Sequence, residues 1–225
     1  MTGKSVLIIG ATGDLGVQCL RHLAEEPAID LLHIFCRHPH ALTSSDRALC
    51  DSIVLGDAYV ARDVADAILK TAANVVILAT ADCASVQASH TRHATAKALA
   101  ETMRLPDFQH IKAVVVSSVG AGESHINVGL GIGQMLAHHK SHALADYSRQ
   151  ELEFADLMDR TMIVRPTFLT NNKPGKTIIQ FGNRKKAPSF HCDRSDLAAW
   201  IAKEVAKDHD RFRNGTFNLT SSKYV

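Results

Sequence analysis

The chain has 225 residues, 46% of them hydrophobic, and its 25 basic and 23 acidic residues give a formal net charge of +2. This length suits a single well-buried domain spanning residues 1–225 and is short for two. The small net charge gives no reason to expect nucleic acid or a membrane surface as a partner, and no run of 18 apolar residues offers a membrane span.

The first apolar run, "SVLIIG" from Ser5, is interpreted as a core strand and not as the apolar part of a signal peptide. The five cysteines are scattered along the chain without a C-x-x-C pair. An odd number of unpaired cysteines in apolar stretches indicates reduced thiols, so we expect a cytoplasmic protein.

Short β-branched apolar runs alternate with longer amphipathic runs along most of the chain. The predicted strands are Val6–Ile9, Leu32–Cys36, Ser52–Leu55, Val75–Ala79, Ala113–Ser117 and Thr161–Val164. The predicted helices are Asp14–Glu25, Ala61–Ala72, Val86–Met103 and Gln134–Leu157. This order predicts an α/β fold of the Rossmann type, a doubly wound parallel sheet with right-handed crossovers and helices on both faces.

After Pro166 the alternation becomes less regular. "TIIQFG" and "TFNLT" are predicted as additional strands, and Arg194–Lys207 is predicted as a helix. In an open α/β sheet such a piece usually lies over the strand ends where a ligand binds. We therefore expect residues 166–225 to form a small C-terminal extension on the substrate side of the same domain.

The stretch "SVLIIGATGDLG" places three glycines between the first strand and the first helix. Gly10 permits a tight turn, Gly13 lets the backbone approach a pyrophosphate, and Gly16 lets the helix pack against the strand. The phosphates would then lie at the positive end of the helix dipole, among N–H groups without partners in the helix. The sequence therefore predicts a dinucleotide site at this turn.

The second strand ends in "HIFCRHPH", where an NAD-preferring protein usually carries an acidic residue. Here Arg37 takes that place and can pair with the 2′-phosphate of NADP, with His38 and Arg47 near enough in sequence to assist. The alternative is that Arg37 is an ordinary solvated surface residue. The expected cofactor is NADP(H).

Two later strand ends add weaker indications. "LGDAYV" places Asp57 after the third strand, where a carboxylate can accept a hydrogen bond from the adenine amino group. "ILATAD" ends the fourth strand with Ala79 and Thr80, which are small enough to let a ribose approach.

Together with these motifs, "VVVSSVGAG", "TMIVRPTFLTN" and "DRSDLAAWI" give the chain a resemblance to the atypical short-chain dehydrogenase/reductase superfamily. It is most similar to the NmrA-like and biliverdin-IXβ/flavin reductase group. The resemblance implies that the cofactor contacts Gly10, Thr12, Gly13, Asp14, Leu15, Arg37, Asp57, Ala58, Ala79, Thr80, Ser117, Pro166, Thr167 and Phe168. Of these, the last three would face the nicotinamide, while Ser118 would be the active-site serine.

Many relatives carry a catalytic Tyr-x-x-x-Lys pair, and "HALADYSRQE" does not supply it. Counting back about fifteen residues from Thr161 places Asp146 at the lysine position and His142 at the tyrosine position. Tyr147 has no lysine four residues later, so we expect it to contact substrate and not to act as the acid. Without the relay, an acceptor that needs little acid assistance is favoured, such as a flavin, a quinone or a conjugated enone.

Three interpretations of the histidines on this predicted helix stay open. Three of the four residues His138, His139, His142 and Asp146 could share one helix face. That arrangement would suit a metal site or a proton-donating His142 held by Asp146. No H-E-x-x-H motif accompanies them, so no metal is expected. An ordinary polar helix face explains the same residues.

The function that these features favour is an NADPH-dependent oxidoreductase acting on a small electron-poor molecule, with Ser118 and His142 as the candidate catalytic residues. Two alternatives are a non-catalytic NADP-sensing regulator that binds a protein partner and a non-redox isomerase on the same fold. The compact chain favours the enzyme. The oligomeric state is left open.

Overall fold

A computed structural model describes residues 3–80, 90–124, 141–172, 174–208 and 211–222. The strands are β1 (Ser5–Ile9), β2 (Leu31–Cys36), β3 (Ser52–Leu55), β4 (Val75–Leu78), β5 (Lys112–Val116), β6 (Thr161–Pro166), β7 (Phe168–Thr170), β8 (Ile178–Phe181), β9 (His191–Asp193) and β10 (Gly215–Ser221). The α-helices are α1 (Asp14–Ala24), α2 (Ser44–Arg47), α3 (Ala61–Thr71), α4 (Thr91–Arg104), α5 (Ser141–Leu152) and α6 (Arg194–Ala206).

Eight strands form one sheet in the order β3-β2-β1-β4-β5-β6-β10-β8. Every neighbouring pair is parallel except β10 and β8, which are antiparallel. The strand order reverses at β1, whose Ile9 pairs with Phe35 on one side and with Leu78 on the other. The Rossmann-type doubly wound sheet predicted from the sequence is confirmed. A reversal of this kind is where open α/β sheets bind their ligands.

The sheet is buried on both faces, as the continuous apolar strands indicate. Val6 and Ile8 of β1 belong to a core that α1 and α6 cover. Leu7 and Ile9 point the other way, into a core that α3 and α4 cover. Burial of alternate side chains on opposite faces follows from the two-residue period of a strand. This double covering leaves the strand ends as the accessible part of the sheet.

The C-terminal segment joins the sheet. It contributes β10 beside β6 and β8 at the edge, while β7 and β9 pair in a separate two-stranded parallel sheet. Helix α6 packs against α1, the helix that follows the glycine turn. No helix within the described ranges is long and apolar enough to cross a membrane.

Two predicted helices have different limits in the structure. Helix α4 begins at Thr91 after a non-helical His90, while the predicted start at Val86 lies outside the described residues. Helix α5 ends at Leu152, and the chain continues in tight turns that still bury Phe154 and Leu157. The apolar period persists through these turns, which explains why the sequence suggested a helix as far as residue 157.

Candidate cofactor and active site

The glycine turn between β1 and α1 is shaped by close backbone contacts. Gly10 has a φ of +95°, and a Cβ there would lie 2.7 Å from the carbonyl carbon and oxygen of Ala79. At Gly16 a Cβ would overlap the Gly10 carbonyl and lie 2.8 Å from the Cα of Ala11. The turn therefore needs glycine at both positions, and it places the ends of β1 and β4 in direct contact.

Gly13 has a different environment. A Cβ there would meet one atom, the Gly10 carbonyl oxygen, at an ordinary distance of 3.5 Å. Gly13 is the N-cap of α1 without a side-chain cap, and its amide donates to Gly10 O at 3.0 Å. Thr12 and Asp14 are exposed beside it, whereas Leu15 is buried beneath the turn. Open space before uncapped helical N–H groups fits the diphosphate of a dinucleotide.

The predicted adenine side is a cluster around Arg37, which is 55% exposed. Its Nη1 lies 4.0 Å from Asp57 Oδ2, and its guanidinium lies over the Tyr59 ring, 5.3 Å from the centroid. The Tyr59 hydroxyl lies 3.0 Å from the Thr91 hydroxyl at the start of α4. Tyr59 is a contact that the sequence prediction missed, although it follows Asp57 by two residues. Arg37 and Asp57 are thus brought together, while Arg47 instead donates to Pro39 O and Ser44 Oγ.

The predicted ribose side lies against the glycine turn. The Ala79 amide donates to Ile9 O at 2.9 Å, which extends the pairing of β4 and β1. Thr80 is partly exposed, and its hydroxyl lies 2.9 Å from the Thr95 hydroxyl of α4. Ala58, on the predicted adenine side, is partly buried against the core. The structure therefore brings Ala79 and Thr80 beside Gly10, and their contact with a ribose stays a prediction.

Three buried side chains form a network at the carboxyl ends of β5 and β6. Arg165 donates to both carboxylate oxygens of Glu151, through Nε at 2.8 Å and through Nη2 at 2.5 Å. The Ser117 hydroxyl donates to the same carboxylate at 2.5 Å. Ser117 was expected to contact the cofactor, but its hydroxyl is directed to Glu151. Glu151 was missed because nothing local in the sequence links it to Arg165.

Ser118 is separate from this network. It is partly buried, and its hydroxyl donates to Val119 O at 3.1 Å. The loop that follows is tied to α5, because the Gly122 amide donates to Ser148 Oγ at 3.0 Å. Of the two adjacent serines, Ser118 is therefore the one whose hydroxyl is not held by a charged partner among the described residues.

Asp146, at the lysine position of the expected relay, has a structural role. Its two carboxylate oxygens accept from the backbone N–H groups of Arg92 and His93, each at 3.2 Å. The Arg92 guanidinium adds an ion pair at 3.5 Å. Asp146 thus caps α4 from a neighbouring helix, which also satisfies the helix dipole. These contacts turn the carboxylate towards α4, so a role for His142 as proton donor stays a prediction that does not rest on Asp146.

Tyr147 is partly buried, with the Arg92 guanidinium over its ring at 4.4 Å from the centroid. His142 is exposed on α5. His138 and His139 lie outside the described residues. Within the described part of the chain, no three His, Cys, Asp or Glu side chains gather in a way that could hold a metal ion.

The predicted nicotinamide side begins where β6 ends at Pro166. The Thr167 amide donates to Leu219 O at 2.9 Å, which fixes this backbone against β10. Phe168 is 43% exposed and stacks on Phe190 with 5.9 Å between ring centroids and 7° between planes. The C-terminal segment therefore adds a stacked aromatic pair, of which Phe168 is exposed and Phe190 partly buried, beside the end of β6.

Comparison with known proteins agrees with this geometry. A family described as NAD(P)H-binding matches residues 10–208. No curated protein sequence matches the chain. A short-chain dehydrogenase/reductase from Veillonella parvula DSM 2008, solved in complex with NADP, has a TM-score of 0.73 at 14% identity and covers 96% of this chain and 94% of that chain.

Two further solved structures share the fold. The anaerobillin reductase ChuY from Escherichia coli O157:H7 has a TM-score of 0.71 at 18% identity, covering 98% of both chains. A Rossmann-fold NAD(P)-binding family protein from Shigella flexneri has a TM-score of 0.67 at 17% identity, covering 99% of this chain and 98% of that chain. At sequence identities this low, the similarity shows a shared fold but not a shared activity. Because the family match spans most of the sequence and the glycine turn fits a diphosphate, this protein belongs to the NAD(P)H-binding family.

Proposed function

We propose that the protein is an NADPH-dependent oxidoreductase that reduces a small electron-poor acceptor, such as a flavin, a quinone, an enone or a related conjugated carbonyl. The single observation that carries this proposal is the environment of Asp146. The lysine position of the usual relay holds a carboxylate that caps α4, which favours an acceptor that needs little acid assistance over a simple ketone.

The cofactor preference rests on Arg37. Its guanidinium is exposed, and a planar cation with several N–H donors suits a phosphate monoester. The Asp57 carboxylate lies 4.0 Å away, too far for a hydrogen bond, and so is a weak competitor for the arginine. The NADP seen in the Veillonella protein is consistent with this choice.

When bound, NADPH supplies a hydride, and the acceptor takes up that hydride and one proton to give its reduced form and NADP⁺. The chain's own residues would orient the two molecules. Ser118 would orient the acceptor through its hydroxyl, while the stacked pair of exposed Phe168 and partly buried Phe190 offers a flat apolar surface beside the end of β6. The reductase activity in the name of the similar ChuY structure supports this class of reaction.

Binding is tested by titrating NADPH and NADH. Gly13→Val places a branched side chain where the diphosphate must approach, so it should abolish binding while circular dichroism stays native. Arg37→Glu should weaken NADPH binding by roughly 1.5–3 kcal/mol and NADH binding by less. Arg211→Glu, at an exposed arginine in the C-terminal segment, is the control. Equal losses for both cofactors in Arg37→Glu would refute the NADP preference.

Turnover is tested by following NADPH oxidation with flavins, quinones, enones and aldehydes. Tyr147→Phe should lower kcat by less than about tenfold, because a general acid would contribute roughly 10²–10⁴. Ser118→Ala should lower turnover more. If Tyr147→Phe abolishes turnover with unchanged NADPH affinity, the proposal of a relay-free reductase fails. Tight NADPH binding with no turnover of any acceptor would favour a cofactor sensor.

A further inference from the structure

Arg194 reaches from the C-terminal segment to the glycine turn. It is the first residue of α6, and its side chain is 22% exposed. Its Nη2 lies 3.9 Å from Asp14 Oδ2, and its Nη1 donates to Asn171 Oδ1 at 3.0 Å. Asp14 is the first residue of α1 and directly follows Gly13. A guanidinium therefore lies close to the place where the turn fits a diphosphate.

The negative charge of Asp14 would oppose a bound diphosphate unless a nearby cation balances it. Its carboxylate is 73% exposed and lies at the positive end of α1, so it occupies the electrostatic position that favours a phosphate. A diphosphate approaching the turn would meet this negative charge. The ion pairs of the described residues give Asp14 one cationic partner, Arg194.

The contact between Asp14 and Arg194 is weak enough to exchange. At 3.9 Å it is too long for a hydrogen bond, and the carboxylate is mostly in water, where such pairs contribute little to stability. Asn171 holds the other side of the guanidinium, so Arg194 is kept near the turn without being fixed to Asp14.

We propose that Arg194 is a diphosphate-binding residue of the dinucleotide site and that it exchanges the Asp14 carboxylate for the diphosphate when the cofactor binds. This inference rests on the proposed function only in that NADPH is the ligand. It gives the C-terminal segment a part in cofactor binding, since α6 carries the arginine and also packs against α1.

The test is a double-mutant cycle on NADPH affinity, measured by fluorescence titration. Arg194→Gln should weaken binding by about 10- to 100-fold, the range for a charge-assisted contact. Asp14→Asn should tighten binding modestly, because it removes the competing anion. Arg194→Gln in the Asp14→Asn background should still weaken binding by about tenfold or more. If it has no effect there, Arg194 merely neutralises Asp14, and the proposal is overturned.

A ligand that lacks the diphosphate shows which part of NADPH Arg194 contacts. Adenosine 2′-monophosphate should bind Arg194→Gln as it binds the wild type, whereas Arg37→Glu should weaken it. Equal weakening of both ligands by Arg194→Gln would contradict the proposal. Arg211→Gln removes an arginine from a similarly loose ion pair, at 4.0 Å from Asp208, and should leave NADPH affinity unchanged.

Folding and the proposed function are separated by two further controls. Asn171→Ala removes the hydrogen bond and keeps the charge, so it should change NADPH affinity less than Arg194→Gln does. Arg194→Lys keeps a cation and should retain most of the affinity. If the wild-type protein does not bind NADPH, the proposed function fails. If the wild type binds NADPH and both Arg194→Gln and Arg194→Lys bind it as tightly as the wild type does, only the present inference fails.

Discussion

Replacing Glu151 by glutamine should destabilise the protein severely. The carboxylate and the Arg165 guanidinium are both buried and joined by two hydrogen bonds, at 2.8 and 2.5 Å. Removing one charge of such a pair leaves the other buried without a counter-ion, which costs about 3–5 kcal/mol. For a chain of this length 1 kcal/mol corresponds to roughly 2–4 °C, so the Tm of Glu151→Gln should fall by roughly 6–20 °C.

The assay is thermal unfolding followed by circular dichroism, with Glu153→Gln as a matched control. The Glu153 carboxylate also has a side-chain partner, a ring nitrogen of His93 at 2.9 Å, but both groups are partly exposed, so its loss should cost less than about 1 kcal/mol. Replacing the whole pair, as Glu151→Gln with Arg165→Met, should recover part of the stability because no charge remains buried. A Tm for Glu151→Gln within about 2 °C of the wild type would refute the buried-pair interpretation.

Three further predictions concern other parts of the fold. Burial raises the pKa of Cys19 and of Cys192 to about 12, so neither thiol should react with iodoacetamide at pH 8 until urea is added; peptide mapping that finds them alkylated in the native protein would contradict this. Asp146→Lys should not create a working relay but should lower the free energy of unfolding, measured by denaturant titration, by at least about 1 kcal/mol, because it removes the α4 cap and places a cation beside Arg92. Burial lowers the pKa of His33, so below about pH 6.5 the unfolded chain binds its proton first and stability is lost on acidification. His33→Gln should flatten the Tm profile in this range, and an unchanged slope would exclude His33 as its source.

The sequence by itself was sufficient for the fold and for the glycine turn between β1 and α1, because both depend on neighbouring residues. The alternation of apolar runs predicted the order of strands and helices, and the strand–turn–helix context of Gly10, Gly13 and Gly16 predicted the close turn that the structure contains. Arg37 was also visible as a residue at a strand end. These features require only local periodicity and the backbone freedom of glycine.

The tertiary structure decided which polar side chains are available for chemistry. Ser117 and Ser118 are equivalent in sequence, yet one hydroxyl is held by Glu151 and the other is not. The sequence around Asp146 is compatible with holding a catalytic histidine and with capping α4. The packing of α5 on α4 places its carboxylate at the start of α4, where it is a cap. Arg194 and Asp14 stand near opposite ends of the chain, and they meet because α6 packs on α1. Hydrogen bonds and ion pairs act over a few ångströms, so residues distant in sequence become partners only when the packing of whole elements brings them within that range.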